Sequence, residues 1–288
     1  MFKFVPPSTD FFKNELKISS REFEIISSLI FRETGISLGK HKTSMVQSRL
    51  SKRLRDLGLS DFEEYLFCLE GKNGYDELPY FINALTTNKT EFFREVSHFN
   101  FLKNKYLKDW TRLRAEKNTC YVWSAACSTG EEVYSLAMSL EDFRVEAPFF
   151  SYKILGTDID TSVLKRAREG IYLGENVRIV PPVQKHRYLF SGSGKNRGRY
   201  RISNILRANI KFKQFNLVEP VNDLPIRFDV IFLRNVLIYF KKETIGKVIR
   251  NLAGRLNRGG LLFIGHSETL NGVNHKLCSL GNSIYRKE

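Results

Sequence analysis

The chain has 288 residues, of which 42% are hydrophobic, and a formal net charge of +15. That length holds one large domain or two smaller ones around a real core. No run approaches 18 consecutive apolar residues, and the four cysteines (Cys68, Cys120, Cys127, Cys278) form no C-x-x-C pair, so a membrane span, a disulfide framework and a zinc site are all disfavoured.

The first ten residues, MFKFVPPSTD, lack the apolar run of a signal peptide. A soluble, cytoplasmic, monomeric protein is expected. Residues 19 to 85 read as helical. SSREFEIISSLIFRETG opens on a serine cap and ends at Gly35. In GKHKTSMVQSRLSKRLRDLG, Val46, Leu50, Leu54 and Leu57 fall on one stripe, and Arg49, Lys52, Arg53 and Arg55 fall largely off it. SDFEEYLFCLEG starts with a capping pattern, Ser60 followed by Glu63, and DELPYFINALTTN is a further helix candidate. Residues 1–85 therefore read as a small, basic, helical domain, and 86–288 as a second domain.

From residue 119 short apolar strands alternate with helices. TCYVWSA, YKILGTDID and GLLFIGHSE are strands, NIKFKQFNL and FDVIFLRNVLIYF hold further strands, and Glu131 to Asp142, TSVLKRAREGIY (capped by Thr161) and KKETIGKVIRNLAGRLNRGG are helices, the last closed by Gly259. Such alternation predicts an α/β fold with a mostly parallel sheet covered on both faces, and ligands then bind beyond the carboxyl ends of the strands. YLFSGSGKNRGRYRI, residues 188–202, breaks the pattern as a glycine-tipped hairpin, within a β insert at about 174–210.

Two stretches carry no acid: Asn176 to Val218 has ten Lys or Arg, and Lys40 to Arg55 has six. Both suggest surfaces for acidic partners, although a solvated face is the plainer reading of any single charge run.

The turn CSTGEE, residues 127–132, joins a strand to a helix with one glycine and two glutamates. A dinucleotide loop has three glycines and places backbone amides on a pyrophosphate. Negative charge here repels phosphate and suits a cationic ligand. Asp158, ending the next strand in GTDID, has the position of an acid that holds ribose hydroxyls. A ribose, no phosphate and positive charge together describe S-adenosylmethionine. Glu132 is expected to face it, and Glu131 to favour the helix start alone. No D/N-P-P-Y/F turn or Pro-Cys pair of a base methylase follows the fourth strand, in LRNVLIYF.

TTNKTEFFRE, VWSAACSTGEEVYSLAM, GTDID, FNL, LRNVLIYF and GHSE, in that order, resemble the chemotaxis receptor methyltransferases, the CheR family. The resemblance implies a class I S-adenosylmethionine-dependent methyltransferase, with a Rossmann-like, mostly parallel sheet. Its small helical N-terminal domain would read the acidic receptor through Arg49, Lys52, Arg53 and Arg55. The product would be glutamate methyl esters on chemoreceptor cytoplasmic helices, with S-adenosylhomocysteine left over. Cofactor contacts would be Asn88, Thr90, Arg94, Glu132, Asp158, Asn216, Leu217, Arg234 and Asn235. Arg94 and Tyr239 would orient the reacting groups, without a metal. Val133 departs from the family's usual proline after GEE, at little cost. The spacing G-x-G-x-x-x-G in the hairpin tip is that of members which dock a receptor's C-terminal peptide. The rival readings are an RNA methyltransferase, which the charge favours but no recognisable RNA module supports, and a non-catalytic module that binds the same cofactor.

Overall fold

The protein is described here by a computed structural model covering residues 16–71, 74–113, 119–221 and 226–288, and the opening MFKFVPPSTD segment lies outside these. It divides into two compact units. One runs to Glu33 and resumes over Ser37–Leu85, and the other comprises Thr34–Ile36 and Thr86–Glu288.

The first unit is helical. Helix α1 (Ser20–Thr34) begins with a reciprocal cap: Glu22 N–H donates to Ser19 Oγ, and Ser19 N–H to the Glu22 carboxylate. Helix α2 (Thr43–Leu57) follows a 3-10 turn at Lys40–Lys42 and stops at Gly58, whose φ of 71° closes the last turn. It buries Val46, Leu50 and Leu54, but the fourth residue of the expected stripe, Leu57, is 38% exposed because the helix ends there. Helix α3 (Phe62–Glu70) starts one residue later than Ser60 and Glu63 suggest. Asp61 is its cap, accepting from Glu64 N–H at 2.9 Å, while Glu64 reaches back to Ser60 N–H. Both residue pairs satisfy the spacing, and the carboxylate pair wins. Helix α4 (Gly74–Leu85) completes the unit.

Two of the four basic residues on α2 are tied to α4. Arg53 grips Glu77 with two nitrogens, at 2.8 and 2.6 Å, and lies over the Tyr80 ring; Tyr65 Oη donates to the same carboxylate. Arg49 donates to the Leu85 carbonyl, the end of α4. Glu77 is buried, so removing its cation leaves a charge with only a phenol for company. Arg53→Ala should therefore lower the unfolding free energy by about 2–4 kcal/mol in a urea titration. A loss below about 0.5 kcal/mol would show the pair to be an ordinary surface bridge.

In the second unit, helices α5 (Val96–Phe101) and α6 (Leu107–Leu113) precede the sheet, joined by a π-helical stretch, Leu102–Tyr106. The hydrophobic period does not reveal them. Buried Leu102 and Leu107 are five residues apart, because the wider turn inserts a residue into the stripe. The chain then alternates through β1 (Thr119–Ser124), α7 (Glu131–Glu146), β2 (Ser151–Asp158) and α8 (Thr161–Glu169). Helix α8 is capped by Asp160 rather than Thr161: its carboxylate accepts from the amides of Ser162 and Val163.

Next comes the insert: β3 (Ile171–Leu173), α9 (Pro182–Tyr188), β4 (Leu189–Ser191) and β5 (Arg199–Ile202). The expected hairpin is present, as β4 and β5, and it gains a third strand. Ile171 and Tyr172, read as the end of a helix, pair with β5 because Gly170 turns left-handed and stops α8. The chain continues through α10 (Asn204–Arg207), β6 (Ile210–Gln214), β7 (Phe228–Leu233), α11 (Lys242–Arg255), β8 (Leu256–Ile264), β9 (Leu277–Gly281) and β10 (Ile284–Lys287). Helix α11 ends four residues before Gly259. Leu256 already pairs with Phe228, and Gly259 lies inside β8, where the register shifts.

The main sheet has the order β6-β2-β1-β7-β8-β10-β9. Every pairing from β6 to β8 is parallel, and β10 runs antiparallel between β8 and β9. Alternate side chains feed two cores. Val122, Val230, Phe232 and Phe263 face the α7 side, whereas Trp123, Ile231, Leu233 and Leu262 face the α11 side. The carboxyl ends of β1, β2, β6 and β7 therefore open at one rim of the sheet, with the switch of chain direction between β1 and β7.

Candidate active site

The turn after β1 is bound to the neighbouring strands: Ala125 N–H donates to the Phe232 carbonyl and Cys127 N–H to that of Thr157, both at 2.8 Å. Ser128 and Gly130 are left-handed, with φ of 47° and 96°. A Cβ on Gly130 would meet Ala167 and the Tyr172 hydroxyl at 3.0 Å, so glycine is needed for space as well as for torsion. Tyr172, from the insert, donates to the Thr129 carbonyl at 2.7 Å and anchors the turn from behind.

Asp158 ends β2 beside this turn. Ser128 N–H donates to one of its oxygens (2.8 Å) and Asp160 N–H to the other (3.0 Å). Burial pushes its carboxyl up to about 6, against the pull of those two amides. Asp160 and Asn88 brace the same corner. Asn88 Nδ2 donates to Asp160 at 2.7 Å, and the Asn88 carbonyl accepts from Ser128 Oγ. Thr90 is half-buried two residues on. The Asp158 carbonyl accepts from Phe215 N–H, which brings the end of β6, with Asn216 and buried Leu217, to the same rim. The Asn216 carbonyl-type oxygen accepts from Val218 N–H.

Both glutamates of the turn are buried. Glu131 accepts from Thr129 Oγ1 (2.6 Å), and burial raises its pKa. Glu132 has one oxygen on Ser124 Oγ (2.7 Å) and the other on Arg234 Nε (2.9 Å). Each of those oxygens keeps a second lone pair for a ligand donor.

Arg234, at the end of β7, is the cation of this network. Besides Glu132, it donates to the Arg94 carbonyl at 2.7 Å and to His98 Nδ1 at 3.3 Å. His98 is fully buried and, accepting at Nδ1, donates its Nε2–H to the Asn282 carbonyl (2.9 Å). Burial first, and Arg234 beside it, depress its pKa to about 4, so the ring is neutral at physiological pH. The Arg94 guanidinium reaches the Lys89 carbonyl at 3.2 Å and is partly exposed. Asn235, φ 57°, donates its amide side chain to Glu95 (3.2 Å) and its backbone N–H to Glu268 (2.9 Å). Tyr239 closes the 3-10 turn Leu237–Tyr239 three residues beyond Val236, whose carbonyl accepts from its N–H.

The rim thus gathers Asn88 with Asp158, and Glu132 with Arg234, Asn235 and the Arg94 backbone. Motif spacing had not singled out Ser128, Glu95, His98, Asp160 or Glu268 as site residues. Glu95 and Glu268 lie in the quoted TEFFRE and GHSE, but nothing in spacing ties residue 95 or 268 to 235. Glu95, His98 and His266 bring ligand atoms within 4.8 Å of one another. The Arg234 guanidinium faces the same His98 nitrogen, and its charge opposes a cation there.

The donor set fits S-adenosylmethionine. The left-handed glycine at 130, packed against Ala167 and Tyr172, turns the chain at the strand end, an acid stands at the ribose position, and the acids of the turn suit an ammonium and a sulfonium. Fold and site together define a class I S-adenosylmethionine-dependent methyltransferase.

Comparison with known proteins carries this further. The family model for the CheR methyltransferase SAM-binding domain matches residues 88–285, and that for the CheR all-alpha domain matches 21–86. The chain belongs to the CheR methyltransferase family. It is 42% identical over 270 residues to the chemotaxis protein methyltransferases of Klebsiella aerogenes and Escherichia coli, covering 94% of this chain and 90% and 92% of theirs. It is 39% identical to chemotaxis protein methyltransferase 2 of Pseudomonas aeruginosa, over 97% of each chain.

Proposed function

We propose that the protein methylates glutamate side chains on chemoreceptor cytoplasmic helices, forming glutamate methyl esters. The observation that carries this reading is the acidic, glycine-turned rim of the sheet in a chain whose curated relatives are chemotaxis protein methyltransferases.

S-adenosylmethionine, when bound, supplies an electrophilic methyl group on a sulfonium. Asp158 would hold the ribose hydroxyls, Glu132 the ammonium and Arg94 the carboxylate. Asn216 and Leu217 would flank the adenine, and Asn88, Thr90, Arg234 and Asn235 would complete the cradle. A substrate glutamate, with a reference pKa of about 4.3, is already ionised at neutral pH. The protein therefore needs no general base, and its work is alignment of oxygen, carbon and sulfur, for which positioning can supply roughly 7–11 kcal/mol. Tyr239 and Arg94 are the orienting groups. Labelled methyl transfer tests the whole reading. Base-labile label on a receptor fragment is expected; label on RNA, or cofactor binding without transfer, would overturn it.

Arg49, Lys52, Arg53 and Arg55 would face the acidic receptor helices. Lys52 and Arg55 are exposed, and Arg49 and Arg53 spend donors on α4. The exposed pair should therefore carry the steering. K52E/R55E is expected to raise KM for a receptor fragment about tenfold at low salt with kcat unchanged, and the gap should narrow as salt is added. Equal KM at low salt would remove the pair from the interface.

A receptor C-terminal peptide would dock on the insert, adding a strand beside β4, whose described pairing is with β5 alone. Phe190 is 64% exposed there, and the arginines of β5 suit an acidic-aromatic tail. Tethering would raise local substrate concentration without altering the chemistry. A pull-down with such a peptide at low salt tests this; no capture would count against it.

A further inference from the structure

We propose that Glu268 is a positioning residue for methyl transfer, its carboxylate seated among backbone N–H groups so as to fix the loop that carries Asn235 and Tyr239. This rests on the reading above, in which Asn235 completes the cofactor cradle and Tyr239 orients the reacting groups.

The loop after β7 has no ladder of its own. At Leu233 the strand ends, and Asn235 turns left-handed with φ 57°, a conformation an asparagine tolerates at some cost. Something must hold it, and that is Glu268. One carboxylate oxygen accepts from Gly265 N–H (2.6 Å) and Asn235 N–H (2.9 Å), and the other from Leu237 N–H (2.7 Å). Its side chain is buried, and the partners are amides of the two turns that leave β7 and β8. A carboxylate surrounded by inward-facing N–H groups is an anion in a nest, except that the anion belongs to the chain.

The two turns approach so closely that a Cβ on Gly265 would lie 2.5 Å from Asn235 Nδ2. Glu95 adds a second hold, accepting from Asn235 Nδ2 and from His266 N–H, both at 3.2 Å. Asn235 is thus gripped on backbone and side chain by two carboxylates, one before the sheet in sequence and one after β8. Tyr239 follows within a single 3-10 turn, whose first amide, that of Leu237, is itself in the nest. Displacing the nest displaces Tyr239.

Glutamine is the informative replacement. It has one acceptor oxygen where the nest needs two. Whichever way the amide is turned, its NH2 faces either the Leu237 donor or the Gly265 and Asn235 donors. Aspartate keeps both oxygens on a shorter stem.

The test uses the full chain, with S-adenosylhomocysteine binding by calorimetry to count competent sites and single-turnover methyl transfer to a receptor fragment. E268Q is expected to bind S-adenosylhomocysteine at full stoichiometry and to lose about 10²-fold in kcat per bound site, with KM for the fragment unchanged and part of the loss recovered in E268D. A merely structural cap would lower the melting point or the stoichiometry and leave kcat per bound site within about threefold of the parent, which would overturn the proposal. Should E268Q fail to fold, E268D decides by the same ratio of kcat to bound sites. Y239F, measured beside them, separates the two readings. If Y239F keeps full kcat while E268Q loses it, Tyr239 has no part in the transfer and Glu268 acts through Asn235. If Y239F loses kcat and E268Q does not, the proposal for Glu268 fails alone.

Discussion

Arg234→Ala is expected to lower the unfolding free energy by about 3–5 kcal/mol. Few side chains in the second unit hold as many groups at once. The guanidinium is 2% exposed and answers Glu132, the Arg94 carbonyl and the His98 ring. Its removal leaves a buried carboxylate without a cation, and the cost is that of the orphaned charge rather than of the lost bond. A protein of this kind has roughly 5–15 kcal/mol of stability in hand, so the variant stands near its limit. Arg234→Lys should recover little. One ammonium cannot face three directions with the fixed fork of a guanidinium. Urea unfolding of both variants is the check, and a loss below about 1 kcal/mol for the alanine would mean that Glu132 finds other partners.

Asp158→Asn should weaken S-adenosylhomocysteine binding by about 10²-fold, on the footing of one or two charge-assisted bonds to ribose hydroxyls at about 1.5–3 kcal/mol each. The asparagine also turns an NH2 toward either the Ser128 or the Asp160 amide, both of which now donate to carboxylate oxygens. The pH dependence has a definite sign. Burial raises this carboxyl from 3.8 to about 6 in the ligand-free protein. A group so raised contributes stability that is complete below about pH 4 and is lost as pH rises through 6, to the extent of roughly 3 kcal/mol. Ligand binding runs the other way, because the ionised form is the one that accepts both hydroxyls. Affinity should be level above pH 6 and fall with acidity below it, with a proton released on binding near pH 6. Calorimetry in two buffers of different ionisation enthalpy measures that proton. Affinity independent of pH between 5 and 8 would take Asp158 out of the ribose contact.

The elements most legible in the sequence were those whose signal is local. β1, β2 and β7 are short apolar runs closed by turn residues, β6 alternates apolar and polar residues, and the parallel sheet follows from their alternation with helices. Asp158 and Gly130 stood out because a strand end and a tight turn have local signatures of their own. Where two residues compete for one local role, spacing was not enough. Asp61 and Asp160 took the caps that Ser60 and Thr161 also fitted, Asp61 by accepting from the Glu64 amide and Asp160 from those of Ser162 and Val163. The π stretch hid α5 and α6 by shifting the apolar stripe, and the β9–β10 hairpin stayed hidden because β9 is mostly exposed and β10 is only four residues long.

Composition, the order of the elements, the acidic turn and the family resemblance are properties of neighbouring residues, and the chain displays them unfolded. Arg234 and Glu132 are 102 positions apart, Asn235 and Glu95 are 140, and Glu268 is 33 beyond Asn235. No periodicity spans such distances. These groups become partners only when the sheet brings the ends of β1, β7 and β8 to one rim and removes the water that would otherwise satisfy each of them. Burial then makes Glu77, Glu132 and Glu268 find donors, so it is the fold that decides that Arg53 holds a helix, that Arg234 is the cation of the site and that Glu268 shapes the loop beside it.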